Sequence, residues 1–315
     1  VANPSPLADL SYRGYEDARG PRGMRWSVVA RQTMREAFAR RPYWILMVLC
    51  SGQYLILMAV AYFLENIGAE FGQSGVSERF FNSIVWRDEF LRGYGFGHLM
   101  MMAILLIVGA GSVSNDHRAN ALLMIFSKPF GKLDYLVGKI VGVATPVFMA
   151  LAIPGTIFYI YGALNFRPYG FISVDPLMLP KLLLLWSVMS LVMAIHVVGL
   201  SACFREGRLA GAAYAGLYIL SGLFASFAQG ARRSGQVPEA LEGALLNLHY
   251  VSLYGINDAL MKFGLNTDGS IPFGSQNAQI IPRPPVALLG AMLVVTLGLA
   301  LYGAWRRIRA VEVVG

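Results

Sequence analysis

Charge is scarce in this sequence. Asp, Glu, Lys and Arg make up 14% of its 315 residues, against about 25% in a soluble domain. The shortage is concentrated in six blocks, 43–64, 94–114, 140–164, 182–204, 209–230 and 286–305, which contain none of the four. A membrane-spanning helix needs roughly 20 apolar residues to cross about 30 Å of hydrocarbon, and each block is long enough. Lipid offers no partner to a backbone N–H or C=O, so each block can satisfy its hydrogen bonds only as a helix. The short alternating segments of a membrane β-barrel are missing. An all-α integral membrane protein with six transmembrane helices is expected, its six-span domain covering 43–315.

Other absences narrow the chemistry. There are two cysteines, Cys50 and Cys203, within or at the end of blocks, where packing is expected and a disulfide is not. No Gly-x-x-x-x-Gly-Lys-Ser/Thr loop exists: Gly131 and Gly138-Lys139 are wrongly spaced and Ile140 follows. The chain is therefore not expected to bind ATP itself. The histidines, His98, His117, His196 and His249, are scattered with no Cys or carboxylate at metal-ligand spacing. His196, deep in a block, reads as a neutral packing residue. With no acid inside any block, a proton- or ion-coupled carrier is disfavoured, since such carriers place ionisable residues in the membrane. No short apolar core ahead of a small-residue cleavage site appears in the first 42 residues. The first span is expected to act as the insertion signal.

The charge that is present is unevenly placed. With the N-terminus inside, segments 1–42, 115–139, 205–208 and 306–315 carry 17 of the 26 Lys and Arg, and the opposite segments 9. The net charge is then +9 inside and −1 outside. The positive-inside rule favours that orientation, with both termini cytoplasmic and a cytoplasmic (inner) membrane location. Topology accounts for the basic residues, and no nucleic-acid partner is expected.

Residues 1–24 read as a flexible cytoplasmic tail rich in Pro, Gly and Arg. Over 25–42 the apolar residues Trp26, Val28, Val29, Met34, Ala37 and Phe38 recur among Arg31, Arg35, Arg40 and Arg41. This is an amphipathic elbow helix suited to the interface with membrane lipid, broken by Pro42. The Gly93–Gly97 run opens a span, where it reads as a bending point and not as a nucleotide loop. Pro146 and Pro154 imply kinks in the third span. Arg205, Glu206 and Arg208 tip a tight hairpin between spans four and five. Span five carries small residues at four-residue spacing, Gly211/Ala215, Ala212/Gly216 and Ser221/Ala225, which permit close helix approach within the chain or across a dimer seam. Segment 231–283 is too short and polar for two more spans. Leu241, Ala244, Leu245, Leu248, Val251 and Leu253 predict interfacial or re-entrant helices before the last span.

The loop between spans two and three is the most informative stretch. It runs from Ser114-Asn115-Asp116-His117-Arg118 through Leu122-Leu123 to Ser127-Lys128-Pro129, and then through Lys132 to Gly138-Lys139. It resembles the first cytoplasmic loop of permease subunits of type-2 ABC transporters, the exporter branch. That loop has an acid–x–x–Gly-Thr–x–x–x–Leu-Leu–x–x–Pro–x–Ser-Arg pattern ending in Gly-Lys. Asp116, Leu122, Leu123, Pro129, Lys132, Gly138 and Lys139 take comparable places, while Ala119-Asn120 and Gly131-Lys132 replace Gly-Thr and Ser-Arg. The elbow, the six spans, the short 205–208 loop and the helices before span six extend the resemblance over most of the chain.

The resemblance implies a non-catalytic subunit of an ATP-driven exporter. A separate ABC ATPase subunit would carry ATP and Mg, with no cofactor or metal on this chain. The coupling helix would dock on that ATPase through Asp116, Arg118, Leu122, Leu123, Ser127, Pro129, Lys132 and Lys139. Arg205, Glu206 and Arg208 would supply a second contact. A second permease copy or homologue is implied, with Gly211, Ala215, Gly216 and Ala225 as a possible homodimer seam. A variant reading has the permease pass ATP-driven motion to an extracytoplasmic partner without transport. A membrane enzyme acting on lipid would need a cluster near His98, Asp88 and Glu89, which form no recognised constellation.

Overall fold

A computed structural model describes residues 24–70, 74–126, 131–173, 175–233, 238–270 and 280–308. Among these there is no strand. The helices are α1 (Arg25–Phe38), α2 (Arg41–Cys50), α3 (Gly52–Glu70), α4 (Ser74–Ser83), α5 (Trp86–Val108), α6 (Ser114–Arg118), α7 (Ala121–Phe126), α8 (Lys132–Asn165), α9 (Met178–Cys203), α10 (Gly207–Arg233), α11 (Glu239–Leu248), α12 (Leu253–Leu265) and α13 (Val286–Arg307). Five of them, α5, α8, α9, α10 and α13, are long and apolar enough to cross a membrane. The pair α2–α3, bent by 47° over Arg41–Cys50 and Gly52–Leu64, meets the same test together. The tail 1–23 and the segment 309–315 lie outside the described residues.

The bundle has two distinct ends. At one, called here the elbow end, lie α1, α6, α7, the α9–α10 turn and the end of α13. At the other, the hairpin end, lie α4 and the α11–α12 pair.

Helix α1 forms where the amphipathic pattern predicts it, burying Ala30, Thr33 and Ala37. It lies against α8 because Gly138 and Gly142, one helical turn apart, remove the side chains that would hold it off. A Cβ at Gly138 would sit 2.7 Å from Val29 Cβ, and one at Gly142 would sit 2.6 Å from Thr33 Cβ. Pro42 does not break α1. The helix ends at Phe38, Ala39 and Arg40 form the link, and Pro42 stands in the first turn of α2, where its missing N–H has no helical partner to lose. Arg40 donates to the Ile107 carbonyl, one of the acceptors left open at the end of α5.

The second span differs from its expected bounds of 94–114. Its helix starts at Trp86, because Asp88 and Glu89 in its first turn suit the positive helix end. It stops at Val108, where the Gly109–Val113 stretch turns. Ser201 of α9 stabilises that turn: its Oγ accepts the N–H groups of Val113 and Ser114 at 3.2 and 3.1 Å and donates to the Ala110 carbonyl at 2.7 Å. The Gly93–Gly97 run lies inside this helix, so it is not a bending point. A Cβ at Gly93 would come within 2.3 Å of the Tyr54 ring, and one at Gly97 would lie 3.4 Å from the Cys50 carbonyl. These glycines admit the bent α2–α3 pair. Helix α8 runs unbroken through Pro146 and Pro154. Cys50 is buried and Cys203 exposed, and both are free.

At the hairpin end, α11 and α12 are joined by a 3-10 turn, His249–Val251. Ser252 caps α12, accepting the Gly255 N–H at 2.9 Å. The turn reaches far into the bundle. Tyr254 stacks on Tyr94 with centroids 5.6 Å apart and lies 4.5 Å from the His98 ring. His98 is twelve residues into α5, about 18 Å along it at 1.5 Å per residue. The pair is therefore re-entrant with respect to the bundle: it dips between the helices and returns toward the hairpin end. Glu242 and Asp268, both exposed, flank the dip. With Cys203 replaced by serine, a single cysteine at either position is expected to react with an impermeant maleimide from the same side of sealed vesicles. Labelling from opposite sides would mean that the pair crosses.

Candidate docking face at the elbow end

The α5–α6 junction is held to the base of α8 by a clasp of three side chains. Lys139 Nζ lies 2.8 Å from Asp116 Oδ2, and the Tyr135 hydroxyl donates to the same oxygen at 2.6 Å. Tyr135 and Lys139 are one helical turn apart on α8, so both reach the carboxylate from one face. Lys139 is 9% exposed, and its ammonium is committed inside the bundle. Asp116 is half-buried.

The α9–α10 turn packs against the same junction. A Cβ at Gly207 would lie 2.9 Å from Asn115 Oδ1 and 3.1 Å from Gly111 Cα. Only a residue without a side chain lets the 205–208 tip sit beside Asp116. His117 stands where these elements converge. Burial lowers its pKa below the ordinary value, Arg205 and Arg307 push the same way, and Asp116 opposes them. The ring is thus biased toward its neutral form. At the foot of α8, Lys132 Nζ lies 6.0 Å from the centre of the Trp305 ring on α13.

The residues expected to dock divide into two groups. Arg118, Arg205, Glu206 and Arg208 are exposed, and Met124 is 74% exposed. Together they form a basic face with an apolar projection. Leu122 is buried in the core and Lys139 in the clasp, so both lie beneath that face. Asp116 and Lys132 are half-buried at its edge. Leu123 belongs to α7, but its side chain lies outside the described residues, as do Ser127 and Pro129 entirely. Asn120 separates α6 from α7 with a φ of 53°, a left-handed conformation that Asn tolerates better than most residues. The expected seam on α10 also divides. Gly211 lies 3.4 Å from Ala110 Cβ by its would-be Cβ, Ala225 is buried within this chain, Ala215 is half-buried, and Gly216 faces open space.

The sequence reading missed buried charge at the hairpin end. Asp88 and Glu89 are each 2% exposed and Asp258 5%, so acids do enter the packed helices. Asp88 accepts from the Thr267 hydroxyl at 2.6 Å, and Glu89 pairs with Arg92. Asp258 Oδ2 lies 2.9 Å from Lys262 Nζ and 3.4 Å from His249 Nε2. Lys262 also donates to Tyr250 and to the Ile281 carbonyl. The Asp258/Lys262 spacing of four residues was the available signal. His98 and the Asp88–Glu89 pair do not share a site: His98 lies nine residues beyond Glu89 on α5, about 13 Å along the helix.

A Lys139→Met change would leave the Asp116 carboxylate without its ammonium. It is expected to cost ~2–3 kcal/mol, somewhat under the range for fully buried pairs because Asp116 keeps partial contact with solvent. The double change Asp116→Leu with Lys139→Met should recover part of that loss, since no lone charge remains. Thermal unfolding of the purified variants in detergent measures both.

The family model described as ABC-2 family transporter protein matches residues 27–306 of this chain. No curated protein matches the sequence at a significant level.

Proposed function

The chain belongs to the ABC-2 family of transporter proteins, and from that premise we propose that it is the non-catalytic membrane permease of an ATP-driven exporter. ATP and Mg would reside on a separate ATPase subunit. The observation that carries this reading is the convergence of the two exposed elements, α6–α7 and the 205–208 tip, at the Asp116–Lys139–Tyr135 clasp. A load applied to the face reaches α5 through the chain, α8 through the ion pair and α9 through Ser201. The basic face with Met124 at its centre suits an ATPase groove that is apolar inside and acidic at its rim. In this reading the elbow end is cytoplasmic, as the basic residues favour.

A working transporter would hold two permeases. The open side of α10 supports that part of the proposal. Leu217, Leu220, Phe224 and Phe227 are exposed along it, and Gly216 and Gly230 face nothing within 4 Å. A second copy could approach closely there. Gly211 and Ala225 are taken up by packing within the chain, which moves the seam toward the Gly216–Gly230 side.

The docking test should avoid Leu122, whose burial makes its replacement a folding defect. Arg118→Glu combined with Met124→Asp alters only exposed positions. Co-expressed with the partner ATPase, this variant is expected to lose at least tenfold in co-purified ATPase while keeping the wild-type melting temperature. Undiminished co-purification would sink the docking assignment.

A further inference from the structure

Between α5, α10 and the re-entrant turn lies a cavity of about 320 Å³. His98, Tyr218, His249 and Tyr254 line it, with Leu99 and Leu223 among its apolar members. The four rings form one cluster. Tyr254 is 4.5 Å from His98 and 5.7 Å from His249, and His98 is 6.3 Å from Tyr218. Among the described residues, no Asp, Glu, Lys or Arg lines the space.

His98 Nδ1 lies 2.6 Å from the Gly95 carbonyl oxygen. That oxygen can only accept, so Nδ1 carries a proton and donates to it. His249 Nε2 faces the Asp258 carboxylate at 3.4 Å, which ties this ring to a buried acid. The tyrosine faces add negative quadrupole, which attracts a cation within about 6 Å of a ring centre. Asp258 stands one hydrogen bond behind His249. The nearest ammonium, that of Lys262, is committed to Asp258, Tyr250 and the Ile281 carbonyl. An organic anion would meet ring faces with no Lys or Arg among the described lining residues.

We propose that this cavity binds an amphipathic organic cation, its charged centre against the His98–Tyr254–Tyr218 rings and its apolar body against Leu99 and Leu223. The pocket's role as a cargo site rests on the transport reading above, but the binding itself does not require an ATPase.

The test uses the full chain in lipid nanodiscs, without ATPase or nucleotide. The probes are tetraphenylphosphonium and its near-isosteric anion tetraphenylborate, each compared with empty nanodiscs. Saturable binding above the empty discs is expected for the phosphonium, and partition alone for the borate. Tyr254→Leu should weaken phosphonium binding at least fivefold, and Tyr254→Phe, which keeps the ring, by less than twofold. Leu223 is half exposed, at 50%, so Leu223→Trp fills the cavity without disturbing packed side chains. It should weaken binding at least tenfold at an unchanged melting temperature. Saturable borate binding of equal strength, no saturable phosphonium binding, or wild-type affinity in Leu223→Trp would each overturn the proposal. None of these results bears on ATPase co-purification, so failure of the pocket and failure of the docking face remain distinguishable.

Discussion

Asp116 and Lys139 hold opposite charges 2.8 Å apart where α5, α6 and α8 meet. Neither can be withdrawn alone. Charges taken out of water are tolerated only when paired and hydrogen-bonded, and Tyr135 supplies the extra bond to the carboxylate. The pair therefore fixes α6 to the base of α8. It also fixes α1, because the glycines that admit α1, Gly138 and Gly142, flank Lys139 on the same helix. Elbow, junction and long span become one unit. The 205–208 tip joins that unit through Gly207, and α9 joins it through the three hydrogen bonds of Ser201.

The spans were legible in the sequence because lipid imposes a simple rule, long apolar runs with internal hydrogen bonding. The same rule explains what was misplaced. Hydropathy locates apolar side chains and not helix ends, so α5 was begun at Tyr94 although its helix starts eight residues earlier, at Trp86. It was extended to Ser114 although the apolar letters of Gly109–Val113 form a turn. The docking residues were named from a one-dimensional pattern, which cannot tell a residue that presents a surface from one that supports it. Arg118 and Arg205 lie outside, while Leu122 and Lys139 lie inside. Lys139 carried no sequence mark of its burial, since its partner is 23 residues away.

Buried acids change the argument about energy. Their apparent absence from the apolar blocks disfavoured ion coupling, yet Asp88, Glu89 and Asp258 are all enclosed. What now matters is their partners. Thr267, Arg92, and Lys262 with His249 occupy them. A coupling carboxylate must exchange protons or ions with a pathway, and these three are committed to pinning loops to helices. Thr267 and Ser270 tie the segment after α12 to the start of α5, and Lys262 with Tyr250 ties α12 to the approach to α13. Buried charge at this end is structural attachment, which is compatible with the proposed external source of work.

The two attached ends are bridged by α5. Its first turns carry the hairpin-end ties, its last carbonyls receive Arg40, and the chain leaving it becomes α6. A 23-residue helix is about 34 Å long, so under the docking proposal a push on α6 would tilt the rod and move its far end relative to anything not fastened to it. Helix α10 is fastened mainly to α9 and to the α11–α12 pair, with Gln229 donating to the Leu245 carbonyl at 3.1 Å. It meets α5 at Gly211 against Ala110 and at the Tyr218 hydroxyl, 3.4 Å from the His98 carbonyl, and much of its length is exposed. The aromatic cavity lies between these two helices and the re-entrant turn. Tilting α5 against α10 would separate His98 from Tyr218. Under the docking proposal, both walls of the cage start from the loaded face, α5 through the clasp and α10 through Gly207, so the cage changes shape where the two helices tilt unequally.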